Sequence, residues 1–436
     1  MLWSLALAWS GVVQAQELSI PHEMYTLDNG LTVILAEDHS VPIVQVNLWY
    51  HVGSRDEVAG RTGFAHLFEH LMFQGSLHNN QDYFEPLQEI GGQVNGSTTL
   101  DRTNYFEGVP AEYLPLALWA EADRMGFLLE ATDADRLANQ KDVVRNERRQ
   151  RYENQPYGTY WITLLENVFP EGHPYHHPTI GYHEDLDAAT LDDVSAFFRA
   201  WYVPNNASLV ICGDFDPATA RELVDRYFAP IPAGPQPPKT EAPPIVHEQE
   251  IELRRAEAGV PHEKVWIAWP TPAVFEPGDA ELDLLSSLLA DGKDARLYRE
   301  LVIEQQIAKE IDAFQASCEL DSMYVISATA AEGHTTDEIV AEVDRILAEL
   351  VADGVTDEEV AVGLTNYEAR YVDGLETVAA KANQLNSYFK TTGQPDYLEQ
   401  DLARYRAVTP EGVRSTAETW LGPGRVVLHI WPEEAE

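Results

Sequence analysis

A repeat constrains this chain more than any other feature of its sequence. Thr190-Leu-Asp-Asp-Val194, Trp201, Pro204, Leu209 and Ile211 return as Thr409-Pro-Glu-Gly-Val413, Trp420, Pro423, Leu428 and Ile430, every pair 219 residues apart. Chance supplies one or two such identities, but not easily a constant offset across several, so the chain reads as a duplicated α/β unit. In both copies a helix-like segment leads into a β-rich run, Ala207–Gly213 or Arg425–Trp431. The length of 436 residues is too great for one ordinary core and suits two units of roughly 200 each.

The segment Pro230–Pro244 (PIPAGPQPPKTEAPP) is nearly free of large apolar residues and lies near the middle, as a linker would. The expected division is 17–230, a linker over 231–245, and 246–436. Within the first half, Pro42–Gly53 alternates apolar and polar residues like a half-buried strand. Gly63–Gln74 has helical periodicity, with Phe64, Leu67, Leu71 and Met72 near one stripe. Thr103–Val109 reads as a strand, and Glu112–Leu129 and Asp135–Tyr152 as long helices. The expected class is α+β, two homologous domains, each a mixed, mainly antiparallel sheet faced by helices.

Met1 to Ala15 reads as a secretory signal, apolar from Leu2 to Val13, with small residues at Val13 and Ala15 and a cut expected after Ala15. The usual basic start is missing. Export to a periplasm or beyond is the expected compartment, and no later segment has the length and apolarity of a membrane span. The two cysteines, Cys212 and Cys318, sit in strand-like runs of different halves and are expected as buried free thiols. The net charge of −43 repels nucleic acid and anionic lipid and favours cationic peptides, although a solubility role explains it equally well.

The chemistry centres on His66-Leu67-Phe68-Glu69-His70, inside GFAHLFEHLMFQG. Residues four apart on a helix lie on one face, so two imidazoles at that spacing reach one ion. Glu69, three residues from His66, lies near the same face and can hold a water from the side. H-x-x-E-H is the inverted relative of the H-E-x-x-H zinc motif. A catalytic zinc usually takes three protein ligands and keeps one open position. Spacing does not fix the third, and Glu85, Glu89, Glu121 and Glu147 are all candidates on helix-like segments. Glu147 shares a face with Val143 and Val144, where a carboxylate needs a partner, either a metal or an arginine. His173, His176 and His177, in EGHPYHHPTIG, are broken by two prolines and read as a surface loop; His51 and His78 lack metal spacing.

GFAHLFEHLMFQGS, with Glu147 following His70 after 76 intervening residues in VVRNERRQRYENQPYG, resembles the pitrilysin/insulinase (M16) family of zinc metallopeptidases. The likeness is to the shorter bacterial members and to the mitochondrial processing peptidase β subunit, and it spans the mature chain. It implies one Zn2+ per chain held by His66, His70 and Glu147, with Glu69 as general base. It also implies two related α/β domains forming half of a clamshell chamber, the second without a metal site. Several members carry a second glutamate seven residues before the ligand glutamate; here that position is Gln140, expected behind the ligands and able only to hydrogen-bond. Gly91–Thr98 matches the family's substrate strand, which places Asn95, Gly96 and Ser97 against a peptide added as an extra strand.

Active relatives place an arginine and a tyrosine seven apart after a stretch like Ala295-Arg-Leu-Tyr-Arg-Glu-Leu301; here those positions read Val302 and Lys309. Neither replaces the lost hydrogen-bond support to the oxyanion. The resemblance therefore implies that a homologous subunit without zinc supplies the pair, a heterodimer favoured over a homodimer. The expected substrates are peptides, possibly basic, with no nucleic acid and no stable membrane insertion. A non-catalytic assembly subunit, a self-sufficient homodimeric peptidase and a zinc-storage protein are the competing readings.

Overall fold

The structure, a computed structural model, describes residues 18–433; the expected signal over residues 1–15 lies outside them. Among the described residues eleven strands form two sheets. In the first, β1 (Glu23–Thr26), β2 (Thr32–Glu37), β3 (Ile43–Tyr50), β4 (Gln93–Thr98), β5 (Thr103–Pro110) and β6 (Ala207–Gly213) lie in the order β1-β2-β6-β3-β5-β4. In the second, β7 (Ile251–Glu257), β8 (Lys264–Thr271), β9 (Ala308–Ala316), β10 (Ser322–Ala330) and β11 (Val426–Pro432) run β7-β11-β8-β10-β9.

The offset of 219 residues carries β2, β3, β4, β5 and β6 onto β7, β8, β9, β10 and β11, and the two orders then coincide. Strand sense agrees as well: β2–β6 and β7–β11 are the parallel pairs, and the other pairs are antiparallel. The segment Pro230–Pro244 between the sheets carries neither helix nor strand.

Each sheet buries one face under its own helices. In the first half, Val44, Val46, Leu48 and Tyr105 of the sheet meet Phe64, Leu67, Phe68 and Leu71 of the helix Phe64–Leu71, and Leu118 and Met125 of the helix Leu114–Phe127. The opposite faces are covered by exchange. Leu164, Leu165 and Val168, on the helix Tyr160–Val168, pack against Trp266, Val325 and Leu428 of the second sheet. Reciprocally, Val378, Ala382 and Leu385, on Val378–Thr392, pack against Ile34, Ala36, Val210 and Cys212 of the first. These two helices are themselves counterparts under the 219-residue offset. Each half therefore completes the other's core, and burial of that apolar surface holds them together.

The hairpin turns meet at this junction. Arg55 Nη1 donates to Asp101 of the β4–β5 turn at 2.7 Å and to Glu319 of the β9–β10 turn at 2.8 Å, and Lys390 also pairs with Glu319. The same junction corrects the reading of EGHPYHHPTIG as a surface loop. His173 is buried, its Nε2 is 3.0 Å from Asp321, and Tyr175 sits in the second sheet's core. The prolines do break regular structure, but the loop is clamped between halves rather than exposed. Cys212 is a buried free thiol in β6, whereas Cys318 is free but half-buried and lies past the end of β9, in the turn. Among the described residues no helix is long and apolar enough to cross a membrane.

One half-buried acid makes stability depend on pH. Burial, aided by Asp279 and Asp401, pushes the Asp283 carboxyl up to about 7, against a hydrogen bond from Tyr405 at 2.6 Å. The unfolded carboxyl titrates near about 4. The folded chain thus binds this proton more tightly, and stability falls as pH rises from about 4 to about 7, then levels. Asp283→Asn should leave Tm unchanged at pH 4 and raise it at pH 8. Equal effects at both pH values in a calorimetric scan would contradict this.

Candidate metal centre

The helix Phe64–Leu71 begins at Gly63, whose φ of 84° is left-handed and whose absent Cβ would stand 2.8 Å from the Ile180 carbonyl oxygen. The helix's first free N–H groups, which no earlier turn can satisfy, go to Glu57: Oε2 accepts from Gly63 N at 2.8 Å and Oε1 from Ala65 N at 2.7 Å. Phe64, Leu67, Phe68 and Leu71 then anchor the helix in the core. His66, Glu69 and His70 are left facing a cleft of about 670 Å³.

The opposite wall is the helix Ala134–Arg148, capped by Asp133, whose side chain accepts from Arg136 N. Leu137, Gln140 and Val144 are buried along it, but Val143 is 39% exposed and lines the cleft. The expected inward face is thus half core and half cleft wall, and Glu147 stands at the division. His70 Nε2 is 3.1 Å from Glu147 Oε2 and His66 Nε2 is 3.8 Å from Oε1. The two rings lie 4.8 Å apart at 80°. The arginine partner weighed for Glu147 is also present: Arg151 Nη1 is 2.9 Å from Oε1, but that arginine is 73% exposed and free to swing out.

The electrostatics suit a cation. Burial and the neighbouring His70 push the His66 imidazole down to about 4, so it is neutral and able to donate a lone pair. Burial pushes the Glu147 carboxyl up, but the hydrogen bond from His70 and the charges of His66, His70 and Arg151 outweigh it and hold it ionised below its usual range. For Glu69, burial dominates and raises the carboxyl, with Thr98 opposing. One ligand atom from each of His66, His70 and Glu147 lies within 4.8 Å of the others. Two imidazole nitrogens and a carboxylate oxygen are a donor set that zinc accepts, leaving a fourth position open.

The other candidates fall away. Glu121 is buried in an ion pair with Arg124, which also reaches Glu107 at 3.0 Å. Glu85 and Glu89 are exposed. His177 Nδ1 lies 3.6 Å from Glu57, and His51 bonds Ser208 at 3.0 Å. His78 pairs with Asp123 at 2.5 Å. A second group, Glu252, Asp337 and His429, also gathers metal-type donors, but the Arg254 guanidinium already forks both carboxylates.

The same cleft is lined by Asn95, Gly96 and Ser97 of β4 and by Gln140, which is itself buried. Among the described residues β4 is the outermost strand of its sheet, paired only with β5. Residues not singled out from the sequence join them: Thr98, whose Oγ1 donates to Glu69 Oε2 at 2.6 Å, the stacked Phe73 and Phe84 at 4.6 Å, and Tyr152. Val302 and Lys309 do not line the cleft. Val302 packs on the second core, and Lys309 Nζ lies 2.7 Å from His262 Nε2.

Under the 219-residue offset, His66, Glu69, His70 and Glu147 fall on Leu285, Leu288, Leu289 and Asn366. The three leucines are buried, so the second half keeps the helix but not the chemistry. The family models agree with this asymmetry: residues 32–165 match Insulinase (Peptidase family M16), and 188–367 match the Peptidase M16 inactive domain. The chain belongs to peptidase family M16. This M16 chain is 28% identical over 406 residues to the zinc protease PqqE of Helicobacter pylori, covering 89% of each. It is 24% identical to the uncharacterized zinc protease YmxG of Bacillus subtilis, over 90% of this chain and 94% of that one. It is also 24% identical to the mitochondrial-processing peptidase subunit beta of Lentinula edodes, over 58% of this chain and 55% of that subunit. A crystal structure of a protease from Helicobacter pylori superposes with a TM-score of 0.89 at 25% identity, over 95% of this chain and all of that one. Two homologous α/β domains with this topology are the expected fold of one half of an M16 clamshell.

Proposed function

We propose that this M16 chain is the zinc-bearing subunit of a metalloendopeptidase that hydrolyses peptides or unfolded segments, with one zinc ion held by His66, His70 and Glu147. The convergence of those three donors beside a fourth group, Glu69, carries the reading. When bound, zinc supplies Lewis acidity toward a peptide carbonyl and acidifies water. Glu69 takes the proton of the attacking water and passes it to the leaving amine. Its raised carboxyl, set by burial, suits a group that must hold a proton and give it up. Asn95, Gly96 and Ser97, on the free edge of β4, bind the peptide main chain as an added strand, a mode that reads extension more than sequence. Gln140 lines the same cleft, where an amide offers hydrogen bonds to the neighbouring groups without adding charge.

The cleft holds two carboxylates and Arg151, so a preference for basic peptides comes from the field of the whole surface, at −43, rather than from the cleft. Val302 and Lys309 leave no arginine and tyrosine for the oxyanion, and a homologous subunit without zinc supplies them. Export to the periplasm or beyond, with a mature start at Gln16, belongs to the same proposal.

Co-purification from the native source with mass spectrometry tests these points together: a second M16 chain and an N-terminus at Gln16 are expected. That complex should cleave unstructured peptides, stop on chelation and resume when zinc is returned. Cleavage indifferent to the chelator would overturn the metal reading. The isolated chain should be weakly active or inactive, and full activity from the purified chain alone would remove the need for a partner.

A further inference from the structure

Two neighbouring positions on one face of β4 are fitted to a single side chain, Glu69. At Gly96 a Cβ would stand 3.2 Å from Glu69 Cγ and 3.1 Å from Phe73 Cζ, tighter than ordinary packing, so the absent side chain leaves room for the glutamate's stem. Two residues on, Thr98 Oγ1 donates to Glu69 Oε2 at 2.6 Å. Across the hairpin Thr103 pairs with Thr98 in the β4–β5 register, and its own hydroxyl donates to the Val52 carbonyl at 3.0 Å, which leaves the Thr98 proton to Glu69. With Oε2 taken, Oε1 of Glu69 makes no hydrogen bond to the protein among the described residues. A carboxylate with one oxygen tethered has lost most of its rotational freedom about the last bond, and the remaining oxygen is presented in a set direction.

We infer that Thr98 is the positioning residue for Glu69: its hydroxyl fixes one carboxylate oxygen so that the other is held toward the reacting water. The inference rests on the proposed role of Glu69 as base. It adds a link between binding and chemistry. The strand that offers its free edge to a peptide is the strand that sets the base, so both partners of the proton transfer are referenced to one backbone. That backbone is in turn anchored through the Asp101 turn to Arg55 and to Glu319 of the second half. A base referenced this way is pre-organised before substrate arrives.

The test compares Thr98→Val, which keeps the shape and removes the hydroxyl, with Thr98→Ser, which keeps the hydroxyl. Both are made in the full chain, purified with its partner and loaded with zinc. Thr98→Val should lower kcat about 10–100-fold, as loss of a group that orients a metal-site residue does, with KM and zinc content unchanged. Thr98→Ser should restore kcat. Crystal structures should show the Glu69 carboxylate in one orientation in wild type and Thr98→Ser, and spread over several in Thr98→Val. Wild-type kcat in Thr98→Val, equal impairment in Thr98→Ser, or a deficit confined to KM or zinc content would overturn the inference. If the wild-type complex cleaved no peptide, the proposed function would fail, but the crystallographic comparison would still decide: an ordered Glu69 in Thr98→Val refutes the role of Thr98.

Discussion

Glu69→Gln will bind zinc as well as the wild type and lose about 10²–10⁴-fold in kcat, the span that a positioned general base contributes. The two halves of this expectation come from separate parts of the geometry. Glu69 is not among the three converging donors, so the amide leaves the ligand set intact. The amide oxygen still accepts from Thr98, so the side chain stays in place. What disappears is the basic lone pair: an amide does not take a proton near neutral pH. Zinc content by plasma mass spectrometry and single-turnover cleavage of a quenched peptide measure the two halves separately. Retained cleavage would remove Glu69 as base. Lost zinc would mean that Glu69 is itself a ligand.

His70→Ala will lose the metal and the stabilisation that comes with it. His70 Nε2 lies closer to Glu147 than His66 Nε2 does, at 3.1 against 3.8 Å, and removing it leaves two donors where three are needed. Because a ligand that binds only the folded state stabilises it by mass action, zinc at a thousandfold above Kd should raise wild-type stability by about 4 kcal/mol. That increment should vanish in His70→Ala. In Glu147→Ala it should vanish as well, and Arg151 should lose its ion-pair partner. A zinc-dependent rise in Tm that survived all of these substitutions would place the ion elsewhere.

Much of this was legible in the sequence because it is encoded locally. The spacing of His66 and His70 needs only a helix to become a pair of donors. The constant offset needs only a common fold to become two sheets of one order. The strand and helix expectations in the first half hold to within a few residues, with Ile43–Tyr50, Phe64–Leu71, Thr103–Pro110 and Leu114–Phe127 observed, and Ala134–Arg148 followed by one wider turn over Arg149–Glu153. What escaped is set by partners distant in the chain. The apolar faces of Tyr160–Val168 and Val378–Thr392 are visible as periodicity, but periodicity reports a face, not the sheet it meets, and each meets the other half's sheet. His173 follows the same rule: its prolines mark a loop, and only the fold shows that Asp321 lies across from it.

The site itself divides in the same way. Glu147 was one of four candidate acids until the packing of its helix against Phe64–Leu71 put it beside both imidazoles. Thr98 carries no signal of its own. A threonine in a strand is ordinary, and its role exists only because β4 passes within hydrogen-bonding distance of Glu69. The glycines give a partial hint. Gly96 in the interior of a strand marks a close approach, though not what approaches.

The central claim is that two imidazoles and one distant carboxylate close on a single zinc ion. Anomalous diffraction at the zinc edge, on crystals of the zinc-loaded chain, tests it most directly. The account predicts one strong peak about 2.0–2.2 Å from His66 Nε2, His70 Nε2 and a Glu147 oxygen, with Arg151 turned away. A peak at Glu252, Asp337 and His429 instead, or zinc bound with Glu147 still paired to Arg151 and outside coordination distance, would contradict it.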